Sequence, residues 1–346
     1  MNKFNLMGVA ALAVFGVGFT SLSTGAVFAQ DAPYYKDKRI NIIVTWGPGG
    51  TGDTYARVLA RHLPNHIAGK PTIIVENMTG GGHNIGANFI YNQAPKDGTT
   101  LGIFPSHRVI GALLGEDGVA FEANKFSWLA SLSALASTCA AWHEAGVESI
   151  ADFADMTDPL FFGSKSAGDV ANIVGNMAVT DLGYNFKMIL GYPDDAEIKL
   201  AIETGEIQAT CAPWSTLVRT RPEWAEQGLL KPLFVVAPER DPALPDVPAA
   251  TELPWSPNYL NAVEAYTSRF AVAVPFVAPP GIAEDVVEIL RDGVRAMLAD
   301  PAYLEDIDQV GQVTVRPKVG AEAQAIVDRM YALPASAWDI VVEAQK

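Results

Sequence analysis

Three segments of this chain have residue types and spacing that could do chemistry: Gly47-Pro48-Gly49-Gly50-Thr51-Gly52-Asp53, Gly80-Gly81-Gly82-His83-Asn84 and Ser164-Lys165-Ser166-Ala167-Gly168-Asp169. Each lies between an apolar strand-like run and an amphipathic helical run. Such a junction presents unpaired backbone N–H groups and the positive end of a helix dipole toward one point, which is an anion cradle made of backbone. None of the three contains a cysteine or a nucleophile with a base beside it. The pattern predicts capture of a small anion without its transformation: no catalytic residue, no cofactor, no metal and no fixed cation. His62 and His66 have the i, i+4 spacing of a zinc pair, but Pro64 lies between them and no third ligand follows. Surface histidines at a helix end are the expected reading.

The elements that must position these turns alternate in the manner of an α/β protein. Strands are predicted at Ile40 to Thr45, Thr72 to Val75, Thr100 to Phe104, Leu160 to Phe162, Lys187 to Leu190, Ile207 to Cys211 and Leu233 to Ala237. After Asp169 the apolar positions Val170, Ile173, Val174, Met177 and Ala178 follow helical spacing, and so do Ala56, Leu59, Ala60 and Leu63 after Asp53. Each turn therefore sits at the carboxyl end of a strand, where open α/β sheets place their ligands. Phe126 to Ser133 and Val263 to Val274 read as crossovers between two lobes. On that reading residues 30–133 and 269–346 form the first lobe and 134–268 the second, with the site between them.

Residues 1–29 read as a secretory signal peptide, with Lys3 ahead of an apolar run from Leu6 to Phe19 and small residues before Gln30. Export to the periplasm follows. The formal net charge of −15 excludes nucleic acid and an anionic membrane surface as natural partners, since no basic tract exists to neutralise phosphates. Cys139 and Cys211 are a disulfide in an oxidising compartment or, alternatively, two buried thiols in adjacent strands.

In order along the chain, Gly47 to Asp53, Val75-Glu76-Asn77-Met78-Thr79 with Gly80-Gly81-Gly82, and Ala94-Pro95-Lys96-Asp97-Gly98 resemble the solute-binding proteins of tripartite tricarboxylate transporters, the Bug family. Gly163-Ser164, Gly205-Glu206-Ile207, Leu244-Pro245-Asp246-Val247-Pro248 and Ala278-Pro279-Pro280-Gly281 continue the resemblance across almost the whole mature chain. It implies a two-lobed periplasmic binding fold of the Venus-flytrap type, each lobe a mixed sheet flanked by helices. It also implies a small organic carboxylate as ligand, and a large and a small integral membrane subunit as partners of a monomeric receptor. By position, the first cradle is Gly49, Gly50, Thr51, Gly52 and Asp53 with Trp46 and Pro48 at its rim. The second is Gly80, Gly81, Gly82, His83 and Asn84, and Ser106 adds a hydroxyl. The second lobe contributes Ser164, Ser166, Ala167, Gly168, Asp169 and Tyr192.

Two departures from the family pattern bear on specificity. Tyr192-Pro193-Asp194 replaces a Tyr-Lys-Gly phrase, and Ala212-Pro213-Trp214-Ser215 places an indole where an aspartate or asparagine is common. Together they predict a monocarboxylate or a bulky acid over a compact tricarboxylate. Each residue also has a plainer role. Asp53 can be a first-turn acid that only structures its turn, Trp46 and Trp214 can be half-buried core aromatics, and His83 can be a solvated loop residue. A rival from another class is a dinucleotide enzyme, because Gly47, Gly49 and Gly52 satisfy GxGxxG and Glu76 ends the next strand. A carboxylate sensor that hands its closed form to a receptor is a third reading.

Overall fold

The computed structural model describes residues 32–346, and the expected signal segment at residues 1–29 lies outside them. Short β-branched and apolar runs form the strands: β1 (Arg39–Val44), β2 (Thr72–Asn77), β3 (Thr100–Ile103), β4 (Ser127–Ser131), β5 (Ser137–Trp142), β6 (Leu160–Ser164), β7 (Phe186–Leu190), β8 (Ala209–Ala212), β9 (Leu230–Val236), β10 (Pro275–Ala278) and β11 (Lys318–Val319). They make two sheets. The first has the order β11-β4-β10-β3-β1-β2 and the second β7-β6-β8-β5-β9. In the first sheet β1 pairs in parallel with β2 and β3; β10, β4 and β11 run antiparallel to their neighbours. In the second β6 pairs in parallel with β7 and β8, and β5 runs antiparallel to β8 and β9.

The helices are α1 (Thr51–His62), α2 (Asn84–Asn92), α3 (His107–Gly111), α4 (Val170–Met177), α5 (Asp195–Glu203), α6 (Trp214–Val218), α7 (Pro222–Glu226), α8 (Pro257–Ala271), α9 (Glu284–Leu298), α10 (Pro301–Gln309), α11 (Ala321–Ala332) and α12 (Ala335–Glu343). In α1 the buried Tyr55, Ala56, Val58 and Leu59 face β1 while Arg57 and Arg61 stay outside, as the spacing predicts. Pro64 ends it. In α4 the Asp169 carboxylate accepts from the Val170 amide, and Ala171, Ile173, Val174 and Met177 are buried. No helix among the described residues is long and apolar enough to cross a membrane.

The stretch from Val263 to Val274 is mostly α8, which β10 follows, and β4 occupies the earlier crossover. These passages between sheets are tied together. Leu132 N–H donates to the Val274 carbonyl at 3.0 Å, Leu135 N–H to Phe270 at 2.8 Å and Ala134 N–H to Val315 at 2.7 Å. The helices α9 and α11 pack on β4 of the first sheet. The terminal α12 packs on α8 and α4, where Asn176 Nδ2 donates to the Ala344 carbonyl at 2.9 Å.

Cys139 on β5 and Cys211 on β8 face each other in register and are joined by a disulfide that spans a sequence separation of 72. Both sulfurs are buried within the second sheet. Replacing the two cysteines by serine is expected to lower the unfolding free energy by about 2–4 kcal/mol, because a long loop in the unfolded chain is released. A urea midpoint identical to that of the parent would show that the bond contributes nothing.

Candidate functional site

The first turn is shaped by a buried acid. Asp53 is only 2% exposed. Its Oδ2 accepts from the Gly49 amide at 2.8 Å and from Arg57 Nε at 2.8 Å; its Oδ1 accepts from Arg57 Nη2 at 2.9 Å and Asn77 Nδ2 at 2.8 Å. Burial alone would raise this carboxyl, but the hydrogen bonds from Arg57, the Gly49 amide and Asn77 outweigh it and hold the group down at about 2. Asp53 is thus turned into the protein, paired and saturated, and of its two possible roles the geometry selects the structuring one. Gly49 takes a positive φ of 80° and Gly50 N–H donates to the Gly47 carbonyl. The amides of Thr51 and Gly52, which open α1, find no acceptor among the described residues.

Trp46 fixes the distance between the first two turns. A Cβ added at Gly52 would come within 2.1 Å of the indole, so the ring lies flat on that glycine. On its other side the indole meets the His83 imidazole edge-on, with ring centroids 5.1 Å apart. Asn77 Nδ2 also donates to the Trp46 carbonyl at 2.9 Å. His83 Nδ1 donates to the Thr45 carbonyl at 3.0 Å, which leaves Nε2 as the free nitrogen. Gly80, Gly81, Gly82 and His83 follow one another at positive φ, a run that only glycine at the first three positions can sustain without strain. The amides of Gly81, Gly82 and His83 carry no bond among the described residues. Asn84 behind them is 7% exposed; its amide bonds the Asp117 carbonyl and its oxygen accepts from Arg108, so it braces the turn from inside.

The third turn repeats the first. Asp169 Oδ2 accepts from the Lys165 amide, four residues back, at 3.1 Å and Oδ1 accepts from Val170 N–H at 2.8 Å. The amides of Ser166, Ala167 and Gly168 remain unpaired among the described residues. Ser164, expected to reach the ligand, is wholly buried, its hydroxyl directed at the Ser166 carbonyl and Asp169. Tyr192 lays its ring over Gly163 and donates its hydroxyl to Glu206 Oε1 at 2.7 Å. With Trp214 it packs on the apolar cluster formed by Ile198, Ile202, Leu217 and Trp224 under α5 to α7. Both aromatics are half-buried, one side of each packed on this cluster.

The turns of the two sheets are not bonded to each other directly, but topology aligns them. The first and second turns and Ser106 follow β1, β2 and β3, three adjacent parallel strands. The third turn, Tyr192 and Trp214 follow β6, β7 and β8 in the same way. A shallow cavity of about 310 Å³ flanks the first turn, lined by Pro48, Gly49, Asp53, Thr54, Arg57 and Val310. A larger one of about 630 Å³ lies between α8, α11 and the loop after β9 and touches none of the turns. We place the candidate site at the turns because each presents backbone amides without a partner among the described residues.

Sequence reasoning passed over the cations. Lys165 stands inside the third turn and pairs with Asp195 at 2.8 Å. His107 and Arg108 on α3 and Arg269 on α8 lie outside every motif, so no local pattern announces them. His107 meets His83 edge-on at 5.7 Å. Burial, together with Arg108, His83 and Arg269 nearby, pushes His107 down to about 4; burial also lowers His83. His62 and His66 pair with Asp306 at 2.8 Å and Asp300 at 3.0 Å. Among the described residues no cluster fit for a metal is found. The glycine fingerprint of the dinucleotide reading is occupied by the protein itself, since Gly52 carries the Trp46 indole and Glu76 is exposed on the edge strand β2.

The sequence profile described as the tripartite tricarboxylate transporter family receptor matches residues 55–332. Protein BugT of Bordetella pertussis is 24% identical over 324 residues, covering 88% of this chain and 89% of that one. A TctC solute-binding protein from Polaromonas superposes with a TM-score of 0.72 at 17% identity, over 89% of this chain and 99% of its own. MatC from Rhodopseudomonas palustris with bound malate superposes with a TM-score of 0.51 at 22% identity, over 88% and 99%. These likenesses establish a periplasmic-binding-protein fold of two mixed sheets flanked by helices.

Asp53→Asn keeps the shape of the acid and removes its charge. Because the folded pKa is depressed, the charged form stabilises the fold above the unfolded pKa near 4, and that contribution is lost as pH falls toward 2. With Arg57 half exposed, solvent screening reduces the effect to about 1–2 kcal/mol. The variant should therefore melt several degrees lower at pH 7 and match the parent near pH 2. Equal melting at pH 7 would show that the acid does not hold the turn.

Proposed function

We propose that the protein, which belongs to the tripartite tricarboxylate transporter receptor family, captures a small organic carboxylate between the carboxyl ends of its two sheets. The observation that carries this is the set of unpaired amides at Thr51, Gly52, Gly81, Gly82, His83, Ser166, Ala167 and Gly168, held at the tips of three turns, two of which carry an acid that is already hydrogen-bonded within the turn. A carboxylate entering the first two turns exchanges water for several backbone donors and two helix N-termini. Burying that charge without such partners would be prohibitive. Malate bound in one structural neighbour is in keeping with this chemistry.

On the same reading residues 1–29 direct export and are removed, and the protein works in the periplasm. Residues 30–133 and 269–346 act as the first lobe and residues 134–268 as the second. The first-lobe turns bind first, and the Ser166 to Gly168 amides arrive when the lobes close. The closed form is what the integral membrane subunits recognise. On this reading the bound acid leaves the protein chemically unchanged.

Thermal unfolding against a panel of aliphatic and aromatic carboxylates, with NAD as control, tests the proposal. A ligand at a hundred times its dissociation constant adds about 2.7 kcal/mol to the native state, a shift of several degrees. Gly50→Val should abolish that shift and also lower the unliganded melting temperature, because a Cβ at Gly50 would stand 3.1 Å from the Gly47 carbonyl and from Trp46 Cβ, so the turn must deform; an unchanged far-UV circular dichroism spectrum shows that the variant is folded. A response to NAD alone, or a Gly50→Val protein that responds like the parent, would overturn the assignment of the turns.

A further inference from the structure

Three rings stand in a row across the carboxyl ends of the parallel strands of the first sheet. Trp46 follows β1, His83 lies in the turn after β2, and His107 opens α3 after β3. The Trp46 and His83 centroids are 5.1 Å apart with the planes at 61°, and those of His83 and His107 are 5.7 Å apart at 75°. The middle ring is pinned, since His83 Nδ1 lies 3.0 Å from the Thr45 carbonyl and 3.0 Å from the Thr45 hydroxyl. A carbonyl can only accept, so the neutral ring carries its proton on Nδ1. Its Nε2 then holds a lone pair that no donor among the described residues meets. The same residue supplies one of the free amides at the tip of the second turn, so an anion held there stands within one residue's reach of the ring.

The charges that act on the two imidazoles are of one sign. From α3 Arg108 acts on both rings and from α8 Arg269 acts on His107, while no carboxylate acts on either. The acids of the neighbouring elements are engaged elsewhere. In the first turn Asp53 holds Arg57, Asn77 and the Gly49 amide, and in the loop after α3 Glu116 pairs with Arg108. From α2 the group that meets Arg108 is the neutral Asn84. Both rings are half-buried, and burial together with these cations keeps them neutral in the empty protein, His107 down at about 4. A carboxylate on the amides of Gly81, Gly82 and His83 would be the first negative charge to reach the row. An opposite charge within about 4–6 Å moves a titration by about one to three pH units toward the charged form.

We propose that capture of a carboxylate in the second turn is coupled to uptake of one proton at His83 Nε2, giving an ion pair that exists only while the acid is bound. The inference rests on the carboxylate-receptor reading. The proton comes from solvent and the Nε2 lone pair forms the new N–H bond, so a bound monocarboxylate leaves the net charge of the protein unchanged. Because the ring charges at higher pH in the complex than in the empty protein, binding tightens as pH falls through the titration of the complex. It levels off once the empty protein is itself protonated. An amide of the same acid brings no charge and takes up no proton, which makes His83 a device for distinguishing acids from their neutral derivatives.

Calorimetry with butyrate, benzoate, malate and adipate at pH 6.5 and pH 8, each in two buffers of different ionisation enthalpy, tests it. An acid of the four that binds the parent should do so at least about twofold more tightly at pH 6.5 than at pH 8, with uptake of roughly half a proton at the lower pH. NMR titration of the parent, empty and saturated, should show the His83 ring charging about one pH unit higher or more in the complex, with His107 neutral above pH 6 in both. His83→Asn keeps the backbone amide and a residue type that tolerates the positive φ of 76°, and should remove both the proton uptake and the pH dependence. An unmoved His83 titration, or an uptake that survives in His83→Asn, overturns the inference. Should His83→Asn bind no acid, the titration of the parent decides alone. Binding without proton uptake sinks this inference and leaves the receptor reading standing, whereas failure of all four acids to bind removes both.

Discussion

Asp53 and Asp169 each accept, through one carboxylate oxygen, the backbone amide four residues back in the chain. That contact bends the strand-to-helix connection into a closed turn and uses up the amide at its entry, so that the amides left without partners are those at the tip. An acid beside amides that are to receive an anion would repel it through its own charge. The difficulty is met locally at Asp53, where the bidentate Arg57 pair neutralises the carboxylate and draws its charge away from the mouth. The two remaining first-sheet features follow from this anchor. Asn77 ties β2 to the same carboxylate, and Trp46, held by Asn77, sets how far the second turn stands from the first.

The same device occurs twice because the two sheets share one plan. The order β3-β1-β2 in the first is matched by β8-β6-β7 in the second, with the acid-closed turn after the central strand in both. Beside β3 lies the antiparallel β10 and beside β8 the antiparallel β5, each followed by a further antiparallel strand. Since β10 comes after the second sheet in the chain and β5 follows directly from the first, every passage between the sheets leads into one of these antiparallel strands. The parallel strands that carry the turns are thereby spared any connection across the cleft. Their carboxyl ends stay open to solvent.

Much of this was legible in the residues. The alternation of strand and helix, the buried face of α1, the cap of α4 and all three turns are written in local patterns of glycine, aspartate and apolar spacing, which is why the family resemblance could be read there. What was not legible depends on contacts distant in sequence. β5 lacks an alternating pattern because both its faces are covered, and β10 and β11 are too short to carry one. Tyr192 and Trp214 follow their strands, and their packing on the cluster under α5 to α7 depends on side chains that no local pattern brings together.

The passages at Leu132 to Leu135, Phe270 to Val274 and Val315 are joined by three backbone hydrogen bonds, and sliding one past another would forfeit about 0.5–1.5 kcal/mol for each. Bending them together keeps all three, so a movement of one sheet relative to the other is least costly when these passages flex as a unit. The disulfide joins β5 and β8 inside the second sheet and crosses none of the passages, so it stiffens that sheet without restraining them.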